Sequence, residues 1–274
     1  SNGVGVAMAA WFAAVGIGTD TGGSVVGPSS YCSLAGMTAT QGLVSRSGIV
    51  PRGATQDRAG PMGRNVYDIA LLLSYMAGWD AEDLMTSRGV GHFPQSDLAA
   101  ETAHGSLKDK RIGVLREMIP VGEQHAEGLA LFDRALHDLR KGGAQVVDPV
   151  MTGLDLRALA TSAAGRTAEY EKLYVQNAYL ERLGPDRPFK TIQEMIEKVG
   201  RSKFDKLMLD ALTLEPPARS ADYLARVRNK DMVRDALVAL IDRYQLDALV
   251  LPYSTLPPPL LDAPGGGGGQ SLTS

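Results

Sequence analysis

The segment from residue 111 to 147 does most to limit what this chain can fold into. Arg111-Ile112-Gly113-Val114-Leu115 reads as a strand, Glu127 to Lys141 puts Leu129, Phe132, Leu136 and Leu139 on one helical face, and Ala144-Gln145-Val146-Val147 reads as the next strand. A strand, an amphipathic helix and a strand at this spacing make a crossover unit. The chain is therefore expected to be α/β, with helices covering a sheet. Much later, a helix from Asp231 to Tyr244 leads into the apolar run Ala248-Leu249-Val250-Leu251-Pro252, a further strand that returns to the sheet.

Between these parts the pattern changes. From Leu154 to about Lys230 the periodicity is helical, charges are frequent and no run reads as a strand, with breaks near Gly184-Pro185 and Glu215-Pro216-Pro217. Its apolar positions Tyr170, Leu173, Tyr174, Leu180, Ile192, Met195 and Phe204 read as packing rather than as a ligand box. The division expected is a core over 1–151, a helical insertion over 152–230 and a return to the core over 231–274. Gly265 to Gly269 reads as a flexible loop.

At the other end, Gly5 to Ala14 reads as a buried helix running into a strand or turn at Val15 to Gly18. Pro28 suits the first turn of a short helix. Gly42 to Ser45 and Ile49 to Pro51 read as short strands about a Ser47-Gly48 turn, and Thr55 to Gly63 as a polar, turn-forming loop. Asn65 is a good N-cap for a helix with Ile69, Leu72, Leu73 and Met76 inward, which Gly78 ends. The stretch from about Asp80 to Ser106 reads as irregular, with a short helical turn at Ala81 to Met85.

Composition narrows the functional classes. The 274 residues are 44% hydrophobic and 22% charged, with a formal charge of −3, and no basic run reaches the density of a nucleic-acid patch. No direct nucleic-acid partner is expected. The single cysteine, Cys32, leaves no internal disulfide or cysteine-rich zinc pattern, and with no basic neighbour in sequence it reads as a small packed residue. His92, His104, His125 and His137 are scattered without metal-ligand spacing, so neither a metal nor a cofactor is expected. No run of eighteen apolar residues is present, so no membrane partner is expected either.

The chemistry concentrates at Gly16-Ile17-Gly18-Thr19-Asp20-Thr21-Gly22-Gly23-Ser24. Glycines here admit positive φ and let a ligand approach main-chain N–H groups. A dinucleotide fingerprint fails because the third glycine comes one residue late. A phosphate loop fails for want of lysine, and a nucleophile elbow fails because Val26 replaces its last glycine. The spacing alone leaves a glycine-rich anion-binding or oxyanion loop beside the alternative of a structural turn.

Three blocks in order then carry a resemblance. Gly18-Thr19-Asp20-Thr21-Gly22-Gly23-Ser24, Gly42-Leu43-Val44-Ser45-Arg46-Ser47-Gly48-Ile49-Val50-Pro51, and Gln56-Asp57-Arg58-Ala59-Gly60-Pro61-Met62 followed by Val66, Asp68 and Ala70 resemble the amidase signature family. Weaker similarity continues through Arg111 to Val114 and Asp247 to Pro252.

The resemblance implies an α/β core with a mixed sheet flanked by helices, and an amidohydrolase working through an acyl-enzyme. In its Ser-cisSer-Lys triad Ser24 matches the nucleophile, and the N–H groups of Thr21, Gly22, Gly23 and Ser24 match the oxyanion hole. Each such donor is worth about 3 kcal/mol of barrier. The bridging serine would fall one residue before Ser1 and the lysine further upstream, while the lysines present, from Lys108 onward, match neither. The chain thus reads as an internal piece of a longer protein, lacking the family's last strands and inactive alone.

Val26 stands where many members have arginine, and Met37-Thr38-Ala39 where many have Leu-Lys-Pro. The expected substrate is a small-molecule or peptide amide, in a cytoplasmic enzyme, with a homodimer left open. The alternatives are the glutaminase (A) subunit of an aminoacyl-tRNA amidotransferase and a non-catalytic amidase-like protein.

Overall fold

The computed structural model describes residues 1–164 and 167–259; the glycine tract at 265–269 lies outside them. The strands form two three-stranded sheets, an antiparallel one near the N-terminus and a parallel one beyond it.

Helix α1 (Asn2–Ala9) is shorter than its apolar sequence predicts. Trp11 takes a positive φ of 63°, and Arg64 donates to the carbonyls of Met8 and Ala13 while its guanidinium lies 3.8 Å over the Trp11 ring. The Met8 carbonyl accepts from both Arg64 and the Trp11 N–H, while the Phe12 N–H reaches back to the Ala7 carbonyl, so the helix closes in a tight turn and the chain runs outward through Trp11 and Phe12. Strand β1 (Val15–Asp20) follows, extending two residues past the expected strand or turn. A short helix α2 (Val26–Tyr31), with Pro28 in its first turn, leads to the two-residue strand β2 (Ala35–Gly36).

The Gly42–Ser45 and Ile49–Pro51 runs form no strands; turns at Gly42 (φ 91°) and Gly48 (φ 78°) appear there instead, with isolated bridges joining Val44 to Gln41 and Ala77. Conversely, the second half of the expected polar loop is strand β3 (Arg58–Gly63), the centre of the antiparallel sheet. It pairs with β1 from Val15↔Gly63 to Asp20↔Arg58 and with β2 at Ala35↔Gly63 and Gly36↔Met62. Glycine and proline hide a strand in the sequence, yet here glycine is what the pairing needs. A Cβ on Gly60 would sit 2.0 Å from the Met37 carbonyl oxygen.

Helix α3 (Val66–Met76) is capped as expected, the Asn65 side chain accepting from the Asp68 N–H at 2.8 Å, and it buries Ile69, Ala70 and Leu73. The stretch expected to be irregular holds a 3₁₀ helix over Leu84–Gly89 and helix α4 (Leu98–His104), whose first turn is capped by Asp97. Ala99 is the one buried residue of α4, so no apolar stripe announces it.

Strand β4 (Arg111–Val114), helix α5 (Ala126–Lys141) and strand β5 (Gln145–Val147) form the expected parallel crossover. Phe132 and Leu136 of α5 pack against Val114 and Ile119. Five helices follow: α6 (Leu156–Ala164), α7 (Thr167–Arg182), α8 (Ile192–Val199), α9 (Lys206–Ala211) and α10 (Ala221–Tyr244). The last begins ten residues before the expected Asp231, because the Ser220 side chain accepts from the Tyr223 N–H and sets the N-terminus there. Strand β6 (Ala248–Val250) then joins the free side of β4 in parallel. Leu115, Val150, Leu156, Leu240 and Leu246 form a core between this sheet and the helices. Among the described residues no helix is long and apolar enough to cross a membrane.

Candidate active site

The glycine-rich stretch ends strand β1 on a buried carboxylate. Asp20 is fully buried, and its two oxygens accept from the N–H of Gly23 at 2.7 Å, the N–H of Val25 at 2.8 Å and the hydroxyl of Thr38 at 3.0 Å. These charge-assisted bonds curl residues 21–25 around Asp20. Gly23 meets the curve with a φ of 98°. Ser24 is left exposed on the turn just before α2.

The expected oxyanion donors are therefore unequal. The Gly23 N–H is directed at Asp20, whereas no hydrogen bond engages the N–H of Thr21, Gly22 or Ser24 among the described residues. Thr21 is gripped from the far side by two consecutive residues. Its carbonyl accepts from the Gln56 amide at 3.1 Å, and its hydroxyl donates to Asp57 at 2.6 Å. Ser1 spends its hydroxyl on Thr19, donating to the carbonyl at 2.9 Å and accepting from the N–H at 2.8 Å.

Ser24, Thr21, Thr19 and Ser1 line one side of a cavity of about 430 Å³, a size suited to a small organic group. The segment 46–58 forms its floor and α7 the opposite wall through Val175, Ala178, Tyr179 and Arg182. Arg46 stiffens the floor by a two-pronged pairing with Asp83, both N–O distances being 2.9 Å, and by donating to the Ala54 carbonyl at 2.8 Å. That hydrogen bonding from Arg46 holds the Asp83 carboxyl down at about 2. Arg58 lies between the negative charges of Asp20 and Asp57, and burial draws its pKa below the usual arginine value. At the rim, Arg182 donates to the Glu82 carbonyl at 2.7 Å.

Helix α7 is fastened to that floor by polar contacts. The Glu171 carboxylate, 4% exposed, accepts from the Thr55 N–H at 3.0 Å, the Thr55 hydroxyl at 2.7 Å and the Tyr223 hydroxyl at 2.7 Å, while Gln176 donates to the Pro51 carbonyl at 3.0 Å. The sequence reading missed this wall, although Val175, Ala178, Tyr179 and Arg182 repeat at helical spacing and carry the signal. The aromatic and aliphatic residues it assigned to packing behave so in part: Leu173, Leu180, Ile192, Met195 and Phe204 form one cluster. Cys32 packs toward α1, its sulfur 3.4 Å from where a Cβ on Gly5 would stand. No histidine and no lysine is among the residues that line the cavity.

An exposed serine with free N–H groups beside it, facing an organic-sized cavity, is equipped for acyl transfer once a base removes its proton. Residues 1–272 match the model of the Amidase family. This chain belongs to the amidase signature family. Among its curated relatives is the A subunit of the glutamyl-tRNA(Gln) amidotransferase of Clostridium botulinum (strain Hall), 30% identical over 261 residues, which cover 93% of this chain and 52% of that protein. Among solved structures, the native peptide amidase of Stenotrophomonas maltophilia is 29% identical with a TM-score of 0.76, over 92% of this chain and 52% of that one. An amidase family protein from Bacillus anthracis is 28% identical with a TM-score of 0.74, over 90% and 48%. The chain thus spans about half the length of the relatives it matches.

Proposed function

We propose that the protein hydrolyses a carboxylic amide through an ester formed on Ser24. The observation that carries this reading is the Asp20-centred turn, which leaves Ser24 exposed toward the cavity. In the first half-reaction the Ser24 Oγ attacks the amide carbonyl carbon, and the carbonyl oxygen becomes an oxyanion received by the N–H groups of Thr21, Gly22 and Ser24. Gly23, whose N–H serves Asp20, acts as the brace of that hole rather than as a donor. Collapse breaks the C–N bond, the nitrogen leaves protonated as ammonia or an amine, and water then cleaves the Ser24 ester to release the acid.

The proton from Ser24 passes to the lysine and bridging serine that the family resemblance places before Ser1. Those groups define the test. Amide turnover and labelling of Ser24 by a serine-directed phosphonate are measured in residues 1–274 and in a chain extended upstream. The expected result is turnover and labelling in the extended chain alone, and robust turnover by residues 1–274 would remove the triad from this reading.

The cavity charges are mostly paired within the protein, as Arg46–Asp83 and Arg182–Glu82 show, which suits a neutral small-molecule or peptide amide. The same reading places the enzyme in the cytoplasm and carries the division into core, helical insertion and returning core; a homodimer would show in its mass in solution. A second reading, glutaminase component of a tRNA-dependent amidotransferase, is favoured by the curated relatives' name. Ammonia release that depends on ATP and charged tRNA, with two further subunits copurifying, would support it over a stand-alone amidase.

A further inference from the structure

Gln56 belongs to none of the groups that react, yet it is 3% exposed and makes three hydrogen bonds that tie the Thr21 loop to the start of α7. Its Nε2 donates to the Thr21 carbonyl at 3.1 Å, and its Oε1 accepts from the Ala168 N–H at 2.9 Å and the Thr167 hydroxyl at 2.8 Å. A main-chain carbonyl can only accept and a main-chain N–H can only donate, so the side-chain amide is fixed in one orientation by its partners. Ala168 lies in the first turn of α7, where N–H groups have no intrahelical acceptor, and Gln56 supplies one from 112 residues away. Thr167 is held in turn by the Lys230 Nζ of α10 at 3.0 Å.

The consequence lies in the peptide unit between Thr21 and Gly22. A trans peptide is planar with its C=O and N–H pointing opposite ways, so an anchor on the Thr21 oxygen also aims the Gly22 N–H. Gln56 is buried while Gly22 and Ser24 are exposed, so the N–H points away from Gln56 toward the open side of the loop. We propose that Gln56 is a positioning residue that orients the Gly22 N–H toward the developing oxyanion and registers it against the α7 wall of the cavity. This rests on the amidase reading above. Through one carboxamide, the helical segment beyond residue 152 sets the geometry of a loop near the N-terminus. A loop donor misplaced by a fraction of an ångström loses much of its value in the transition state and little in substrate binding.

The variant that separates this role from structural support is Gln56→Glu, studied in the catalytically complete chain. A carboxylate of the same length keeps the acceptor for Ala168 and Thr167 and, above the pH at which this buried carboxyl loses its proton, has no hydrogen to give Thr21, so kcat is read across a pH series. The expected result is a kcat lower by about 10- to 100-fold, KM within about twofold and an equally weakened affinity for a peptide aldehyde that forms an oxyanion on Ser24, in a protein that still folds but melts at a lower temperature because a buried carboxyl faces the Thr21 carbonyl. A kcat within twofold of the unsubstituted protein would overturn the inference, as would a raised KM at unchanged kcat.

Should Gln56→Glu not fold, Thr167→Val is expected to lower kcat by about 3- to 10-fold, with recovery in Thr167→Ser. Equal kcat in the valine and serine variants would overturn the inference as well. Absence of amide turnover in the unsubstituted, extended chain would instead remove the amidase reading, and this inference with it.

Discussion

The two sheets are held together by different means. In the parallel sheet β4, β5 and β6 pack aliphatic side chains against helices, with Val114, Leu115, Leu136 and Val150 essentially buried. In the antiparallel sheet β1 and β3 have glycines at 16, 18, 60 and 63, whose missing Cβ atoms make room for the Met37 carbonyl at Gly60 and for the side chains of Val4, Met62 and Ile69 at the others. The candidate nucleophile stands on the second kind of sheet. A loop braced by a buried carboxylate and by backbone contact offers N–H groups in fixed directions, which an aliphatic core cannot do. The parallel sheet contributes burial, and its helical excursion contributes the opposite wall of the cavity.

Substitutions can test how sharp that division is. The largest expected effect is Ser24→Ala, which should lower amide turnover of the complete enzyme by about 1,000-fold or more with unchanged folding and no phosphonate label; retained turnover would move the nucleophile elsewhere. Next comes Leu136→Ala, at a position 1% exposed, expected to lower unfolding free energy in urea by about 2–5 kcal/mol while kcat and KM of the folded protein stay unchanged. A loss of kcat there would show that the two sheets are not functionally separable.

Gly60→Ala tests the opposite sheet. Its Cβ would meet the Met37 carbonyl at 2.0 Å, so stability should fall by about 1–3 kcal/mol and kcat should fall with it, as the β1 partner shifts under Asp20. Stability lost without kcat would argue that the loop is insulated from its strand.

The smallest effect concerns the link between the halves. Burial, with a smaller contribution from the Arg58 charge, draws the Lys230 ammonium down to about 8 against the opposing charge of Glu171. Since the unfolded chain keeps its proton to near 10.5, the unfolded state binds more protons between about pH 8 and 10, and stability should rise with pH across that window. Lys230→Met should flatten the rise, as seen in melting temperatures at pH 8, 9 and 10. Tyr223, whose hydroxyl is raised by burial and by Glu171, pulls the other way only as tyrosine begins to ionise in the unfolded chain near pH 10.

What could be read in advance follows the same division. The crossover 111–147, the Asn65 cap and the final strand were legible because periodic burial writes itself into residue order. Strand β3 was not, since Gly60, Pro61 and Gly63 look like loop residues whenever the neighbouring backbone is out of view. Ser24 was proposed as nucleophile through its family blocks, and Gln56 lay inside one of those blocks without a role. Its partners are 35 residues back at Thr21 and 112 ahead at Ala168, separations across which spacing carries no information.

The sequence by itself determined the crossover unit and the glycine loop, because these depend on local conformational preference and on the alternation of apolar residues. Only the tertiary structure decided that Asp20 takes the Gly23 N–H, that Gln56 takes the Thr21 carbonyl, and that α7 closes the cavity. Each loop N–H and carbonyl must find a partner, and which distant group meets it depends on what the packed helices and strands bring within hydrogen-bond reach.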